Sequence, residues 1–163
     1  MNKAVFLDRD GVINRKGSSY YIYKTGDFIL NEGVIPSLNY FLSNGYILII
    51  ITNQGGIARG VYSTEDLERV HVYMADLLEK EGIRFSGIYY CPHHPDISHC
   101  ECRKPGNLLF ENAISDHAID RQLSVMIGDT DADIIAADKS GIRGIRIPEN
   151  GNMYELVVKK GLV

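Results

Sequence analysis

The stretch Ala4-Val5-Phe6-Leu7-Asp8-Arg9-Asp10-Gly11 joins four consecutive apolar residues to two aspartates and a glycine. A short apolar run of this kind predicts a strand that is buried on both faces, as in a parallel sheet. Ligands of open α/β sheets bind just beyond the carboxyl ends of the strands, so Asp8 is predicted where chemistry takes place. Two carboxylates this close repel unless a cation lies between them or one is protonated, and Mg²⁺ prefers oxygen ligands.

Strands and helices alternate along the rest of the chain. The predicted strands cover residues 4–8, 46–51, 87–91, 124–127 and 144–147, with helices at about 33–44, 63–82, 107–118 and 131–140. A short strand is expected at 28–30 and a last helix near 152–160. This alternation predicts βαβ units and a doubly wound, mostly parallel sheet, which is an α/β, Rossmann-like fold. Polar clusters follow four strands and should therefore converge on one edge of the sheet.

The composition is typical of a globular protein. The chain has 163 residues, of which 45% are apolar and 23% charged, and we expect one domain spanning residues 1–163. A net charge of −4 without a basic stripe argues against nucleic acid as a partner. No apolar run reaches the roughly 18 residues that a membrane span needs, and no signal peptide is visible. We expect a cytoplasmic monomer that acts on a small molecule.

The three cysteines all lie in one loop, residues 91–104. An odd number of clustered cysteines in a cytosolic protein argues against a disulfide framework and favours a metal site. Zinc takes four Cys and His ligands in a tetrahedron, and the pairs CxH and CxC supply such a set. The candidate ligands are Cys91, His93, Cys100 and Cys102. His94 and His99 compete with His93 for the histidine position.

Four motifs in order resemble those of the haloacid dehalogenase-like (HAD) phosphatases. Asp8-Arg9-Asp10-Gly11-Val12-Ile13-Asn14 resembles the DxDG[TV] first motif, and Thr52 stands where the second motif has its Thr or Ser. Lys104 matches the lysine of the third motif, and residues 128–133 match the GDxxxD of the fourth. The resemblance implies a phosphatase whose reaction proceeds through an aspartyl-phosphate.

Two longer strings resemble one subgroup of this family. These are residues 52–60, Thr-Asn-Gln-Gly-Gly-Ile-Ala-Arg-Gly, and the CxH…CxC loop followed by Arg-Lys-Pro. They are similar to D-glycero-D-manno-heptose 1,7-bisphosphate phosphatases and histidinol-phosphate phosphatases, and this likeness selects His93 as the zinc ligand. The subgroup has no large cap domain, so the site is expected to be covered by a flap at about 15–31 and by the Cys/His loop, residues 91–104.

The resemblance implies a role for each motif residue. Asp8 would be the nucleophile and Asp10 the general acid and base, while Thr52 and Lys104 would stabilise the transferring phosphoryl group. The implied magnesium ligands are Asp8, the backbone carbonyl of Asp10 and Asp129. Asp133 would support these ligands without binding the metal itself. The implied zinc is structural, because a site with four protein ligands leaves no open position.

The substrate is expected to be a phosphorylated metabolite. The predicted substrate-binding residues are Arg9, Asn14, Lys16, Gly17, Ser18, Ser19, Asn53, Gln54, Gly55, Arg103 and Thr130. Cations and small residues at the start of the flap suit a second phosphate, which favours removal of the 7-phosphate from heptose 1,7-bisphosphate. Histidinol phosphate is the alternative, for which Glu101 could meet the ammonium group. A phospho-receiver domain and an inactive binding protein are disfavoured.

Overall fold

The computed structural model describes residues 1–163 as a five-stranded parallel sheet with helices on both faces. The strands are β1 Lys3–Leu7, β2 Tyr46–Asn53, β3 Gly87–Cys91, β4 Val125–Gly128 and β5 Arg143–Arg146. The helices are α1 Val34–Ser43, α2 Thr64–Glu79, α3 Leu108–His117 and α4 Asp131–Lys139. The strand order is β3-β2-β1-β4-β5, which confirms the predicted doubly wound α/β fold. None of the helices is long and apolar enough to cross a membrane.

The two faces of the sheet are buried in separate hydrophobic cores, because successive side chains of a strand point to opposite faces. Val5 and Leu7 of β1 join the core under α1 and α2. Ala4 and Phe6 join the second core, under α3 and α4. Both faces of β1 are therefore apolar, which is why its sequence is a continuous apolar run rather than an alternating one.

The register of the parallel strands brings the polar clusters together. Leu7 at the end of β1 pairs with Ile50 in β2 and with Ile127 in β4. The residues that follow these strands therefore emerge side by side along one edge of the sheet. The backbone N–H of Asp8 still donates to the carbonyl of Ile127, at 3.1 Å, so the first aspartate is held directly against β4.

Three details differ from the sequence-based expectations. β2 continues through Thr52 and Asn53, which pair with Tyr90 and Cys91 of β3. The strand expected at 28–30 is absent: residues 25–27 form a 3₁₀ turn, and Leu30 makes one isolated bridge to Asn14. The two ends of the flap are joined only at its base, by too few backbone hydrogen bonds to form a strand. The last helix is a π-helical segment, Tyr154–Val158.

Candidate active site

Lys104 is the central cation of the sheet edge. Its side-chain Nζ lies 2.9 Å from Oδ1 of Asp8, 2.6 Å from Oδ1 of Asp133 and 2.7 Å from the carbonyl oxygen of Ile51. All three partners are acceptors, so the ammonium can use its three protons. Lys104 is only 3% exposed, so these contacts hold it in one position.

The acidic cluster consists of Asp8, Asp129 and Asp133, each with a carboxylate oxygen within 4.8 Å of the others. Asp133 is already engaged: its Oδ2 accepts from the backbone N–H groups of Asp129 and Thr130, at 3.1 and 3.0 Å, and from the Thr130 hydroxyl. Oδ1 of Asp129 is buried and has no hydrogen-bond partner. A buried carboxylate oxygen without a donor is costly, so this donor set fits a divalent cation held mainly by Asp8 and Asp129.

A glycine makes room for this cluster. Gly11 has φ +89°, and a Cβ at this position would meet Oδ2 of Asp129 at 2.4 Å. Any other residue would suffer both backbone strain and a clash. The glycine that follows the aspartate pair therefore lets the backbone pass directly over Asp129.

The pKa values in the cluster reflect crowding of negative charge. Burial, together with the charges of Asp133 and Asp129, raises the pKa of Asp8 to about 8 against the opposing effect of Lys104. Burial disfavours the charged form of Lys104, but Asp8 and Asp133 outweigh burial, so the pKa of Lys104 is raised. The pKa of Asp133 is lowered, because Lys104 and the Thr130 donors outweigh its burial. One lysine thus does not fully compensate the carboxylates, which again suits a bound cation.

Asp10 lies beside this cluster with its two oxygens in different surroundings. Oδ1 accepts from Nη2 and Nε of Arg9, at 2.8 and 3.2 Å, and from Nδ2 of Asn14 at 3.0 Å. Oδ2 accepts from Nε2 of Gln54, at 3.0 Å. The same Nε2 lies 2.9 Å from the hydroxyl oxygen of Thr52. The side chain of Gln54 therefore links Asp10 of the first predicted motif to Thr52 of the second by hydrogen bonds.

The Cys/His loop gathers four ligand atoms. Sγ of Cys91 lies 3.0 Å from Sγ of Cys102, 3.6 Å from Sγ of Cys100 and 3.4 Å from Nδ1 of His93. These separations are somewhat shorter than the roughly 3.6–3.8 Å edges of a tetrahedral zinc site. The structure brings His93 to the cysteines. His94 instead lines the cavity over Asp8 and Lys104, and His99 is exposed. The cluster therefore fits a closed structural metal site.

A cavity of about 240 Å³ opens over Asp8, Asp10 and Lys104. The predicted substrate-binding residues that line this cavity are Lys16, Asn53, Gln54, Gly55, Arg103 and Thr130. Arg103 approaches Gly55 so closely that a Cβ there would lie 2.9 Å from its Nη1. Nζ of Lys16 lies 3.2 Å from Asp129 and 3.2 Å from Glu149, so this lysine is paired with acids.

Five predicted substrate-binding residues lie elsewhere. Gly17, Ser18 and Ser19 line a separate groove on the outer side of the flap. The fully buried Arg9 and Asn14 lie behind Asp10, where their side chains bond its Oδ1. The sequence indicates their proximity to the motif but cannot indicate that their side chains turn inward.

Four residues near the site belong to no sequence motif. Tyr20 and Tyr21 of the flap line the cavity. Tyr62 donates its hydroxyl proton to Oε1 of Gln54, and Nε2 of His71 lies 3.2 Å from Nη1 of Arg9. No spacing rule in the sequence marks these contacts, because each depends on how the flap and α2 pack.

Comparison with known proteins places this geometry in a family. The model of the HAD-hydrolase-like family matches residues 101–155. A D-glycero-beta-D-manno-heptose-1,7-bisphosphate 7-phosphatase of Haemophilus ducreyi is 40% identical over 147 residues, which cover 86% of this chain and 80% of that protein. A D-glycero-alpha-D-manno-heptose-1,7-bisphosphate 7-phosphatase of Campylobacter jejuni is 42% identical over 134 residues, covering 82% and 75% respectively.

A solved structure shows the same architecture. The D,D-heptose 1,7-bisphosphate phosphatase from B. bronchiseptica, complexed with magnesium and phosphate, matches with a TM-score of 0.84 at 28% identity. The match covers 98% of this chain and 87% of that one. The chain belongs to the haloacid dehalogenase-like (HAD) phosphatases, in the subgroup that contains the heptose bisphosphate phosphatases.

Proposed function

We propose that this protein hydrolyses the 7-phosphate of D-glycero-D-manno-heptose 1,7-bisphosphate through an aspartyl-phosphate on Asp8. The observation that carries the proposal is the buried contact of Lys104 with Asp8 and Asp133, beside an Asp10 that lines the same cavity. This arrangement supplies a nucleophile, a cation for the transferring group and an acid within one site. The names of the relatives support the choice of substrate.

In the first half of the reaction, a carboxylate oxygen of Asp8 attacks phosphorus and the bond to the sugar oxygen breaks. Lys104 keeps its ammonium beside the attacking carboxylate and neutralises charge on the phosphoryl oxygens. The hydroxyl oxygen of Thr52, near the end of β2, accepts from Gln54, so its proton would be free to donate to the phosphoryl group. Asn53 and Gly55 also line the cavity.

Asp10 transfers a proton in both halves of the reaction. Oδ1 already accepts three hydrogen bonds, whereas Oδ2 accepts one, so Oδ2 is the atom that carries the proton. Asp10 gives this proton to the departing sugar oxygen. It then takes a proton from the water that attacks the phosphorus of the aspartyl-phosphate, which releases inorganic phosphate and restores Asp8.

Two metals complete the proposal. Magnesium would be held by Asp8, the Asp10 carbonyl and Asp129, where it would offset negative charge on the phosphoryl group. Zinc would be held by Cys91, His93, Cys100 and Cys102, where it would fix the shape of the Cys/His loop.

The remaining charge in the cavity favours a bisphosphate over histidinol phosphate. Arg103 lines the cavity as a cation that can bind a second phosphate bidentately. The lining acids are Asp8, Asp10 and Asp133, all of which belong to the reaction centre. Glu101, the candidate partner for an ammonium group, is 80% exposed and lines a different groove. An ammonium would therefore find no spare acid in the cavity.

The test is a comparison of kcat/KM for the heptose bisphosphate and histidinol phosphate, with phosphate release as the readout. We expect the bisphosphate to be preferred, and Arg103→Ala to reduce that preference by about 10-fold or more. Lys16→Ala is the matched variant, and its effect should be smaller because this lysine is paired with Asp129 and Glu149. A preference for histidinol phosphate, or an unchanged preference in Arg103→Ala, would reverse the choice of substrate.

A further inference from the structure

The buried groups around Asp10 extend well beyond the residues that contact it. Gln54 is only 2% exposed and uses both ends of its amide. Its Nε2 donates to Oδ2 of Asp10 and to Thr52, and its Oε1 accepts from the hydroxyl of Tyr62. Ionised Asp10 only accepts, and in its acid form the Oδ2 proton is directed at the leaving oxygen, so the amide nitrogen faces Asp10 in both forms and a donor is then required at Oε1.

Tyr62 is held where it can supply that donor. Its ring stacks on Tyr23 of the flap, with centroids 5.0 Å apart and an interplanar angle of 8°. Burial raises the pKa of Tyr62, so its hydroxyl keeps its proton. Tyr62 does not line the cavity; its ring packs edge-on against Tyr21, which does, and its hydroxyl acts on the site through Gln54.

A second relay supports the other oxygen of Asp10. The guanidinium of Arg9 is fully buried, and its Nη2 donates to the carbonyl of Ile22 at 2.6 Å as well as to Asp10. Its Nη1 lies 3.2 Å from Nε2 of His71, on α2. Arginine only donates, so His71 must accept through Nε2. Burial, with the Arg9 charge, lowers the pKa of His71 to about 4, so the ring is neutral and can accept.

We infer that Tyr62 and His71 are positioning residues that act through Gln54 and Arg9 to hold the carboxyl group of Asp10, with Oδ2 directed at the leaving oxygen. The inference rests on the proposed function, since it requires Asp10 to act as acid and base. Loss of either relay leaves a buried polar group without its partner, and Asp10 then gains freedom to rotate. The nucleophile, Lys104 and the acidic cluster are untouched by this change.

The experiment compares two leaving groups. A sugar alkoxide must be protonated as it departs, whereas the p-nitrophenolate of p-nitrophenyl phosphate departs without a proton. For Tyr62→Phe and His71→Phe we expect kcat/KM on the heptose bisphosphate to fall about 10-fold, and kcat/KM on p-nitrophenyl phosphate to change less than about 2-fold. His71→Gln should restore most of the loss, because its amide oxygen can accept from Arg9.

Tyr23→Phe is the matched control, since it keeps the stacked ring and its hydroxyl makes no hydrogen bond. Equal losses on both substrates, or lower thermal stability without a change in the ratio of the two kcat/KM values, would overturn the inference and leave packing as the role of both residues. The proposed function fails separately, if the wild-type protein releases phosphate from neither ester or if Asp10→Asn leaves the ratio unchanged. Either of these results removes the inference too.

Discussion

The acidic cluster and the two covering loops face the same cavity but are held by different interactions. Asp8 and Asp129 follow the buried strands β1 and β4, and Asp133 lies in the first turn of α4, so regular secondary structure fixes their backbone. The flap is attached by a few hydrogen bonds, such as the two between Asn150 and Lys16, and the Cys/His loop by a ligand cluster. Under the proposed function, the reacting acids therefore lie at the edge of the sheet, and the covering loops supply Lys104 and most of the substrate contacts.

The largest effect should come from Asp8→Asn, which removes the proposed nucleophile but conserves the shape of the side chain. We expect phosphate release to fall by at least about 1,000-fold. Because burial raises the pKa of Asp8, a neutral side chain should leave the melting temperature of the metal-free protein unchanged or higher. The two measurements are steady-state phosphate release and thermal unfolding in a chelator. Retained turnover would contradict the proposed mechanism.

Lys104→Met should affect both activity and stability, since it removes the cation between Asp8 and Asp133. We expect a loss of about 100-fold or more in kcat and about 3–5 kcal/mol in the free energy of unfolding of the metal-free protein. Magnesium should recover part of the stability. Lys139→Met is the control, because its Nζ bonds only the exposed carbonyl of Pro105. Equal unfolding midpoints for the two variants would show that the buried ion pairs do not stabilise the sheet edge.

Removal of the proposed zinc ligand Cys100 should act on the covering loops alone. The wild-type protein, purified without added metal, is expected to hold about one zinc per chain. Cys100→Ser should lose this zinc and lower kcat/KM by about 10- to 100-fold, mainly through KM, because Arg103 loses its support. Circular dichroism should show an intact sheet. Three freely titrating thiols in the native wild-type protein would argue against the metal site.

The smallest effect is expected at Asp131, in the first turn of the same helix as Asp133. Asp131 is 80% exposed and pairs with Arg146 on the surface, so Asp131→Asn should change kcat by less than about 2-fold and stability by less than about 0.5 kcal/mol. Asp133→Asn, measured in parallel by the same assays, should be far more damaging because Asp133 holds Lys104 and three donors around it. Similar results for both variants would mean that burial does not separate these two acids.

The same contrast explains what could be predicted from the sequence. The strand ends were predictable because an apolar run followed by acids is a local signal, and Asp8 and Asp129 stand where that signal puts them. The burial of the Arg9 side chain and the placement of Ser18 outside the cavity could not be predicted. Both depend on contacts with residues that are distant in the sequence. Lys16, for example, is held by Asn150, and nothing near either residue indicates this pairing. The contacts of Tyr62 with Gln54 and of His71 with Arg9 were unpredictable for the same reason.

The contact between Asn53 and Lys104 bears on how such enzymes can diversify. The side chain of Asn53 forms a reciprocal pair with the backbone of Lys104: its Oδ1 accepts from the N–H at 3.0 Å, and its Nδ2 donates to the carbonyl at 3.1 Å. Strand β2 thereby fixes the last residue of the Cys/His loop independently of the loop's own length or content. We therefore expect changes of sequence between residues 92 and 103 to displace Lys104 less than they displace Arg103.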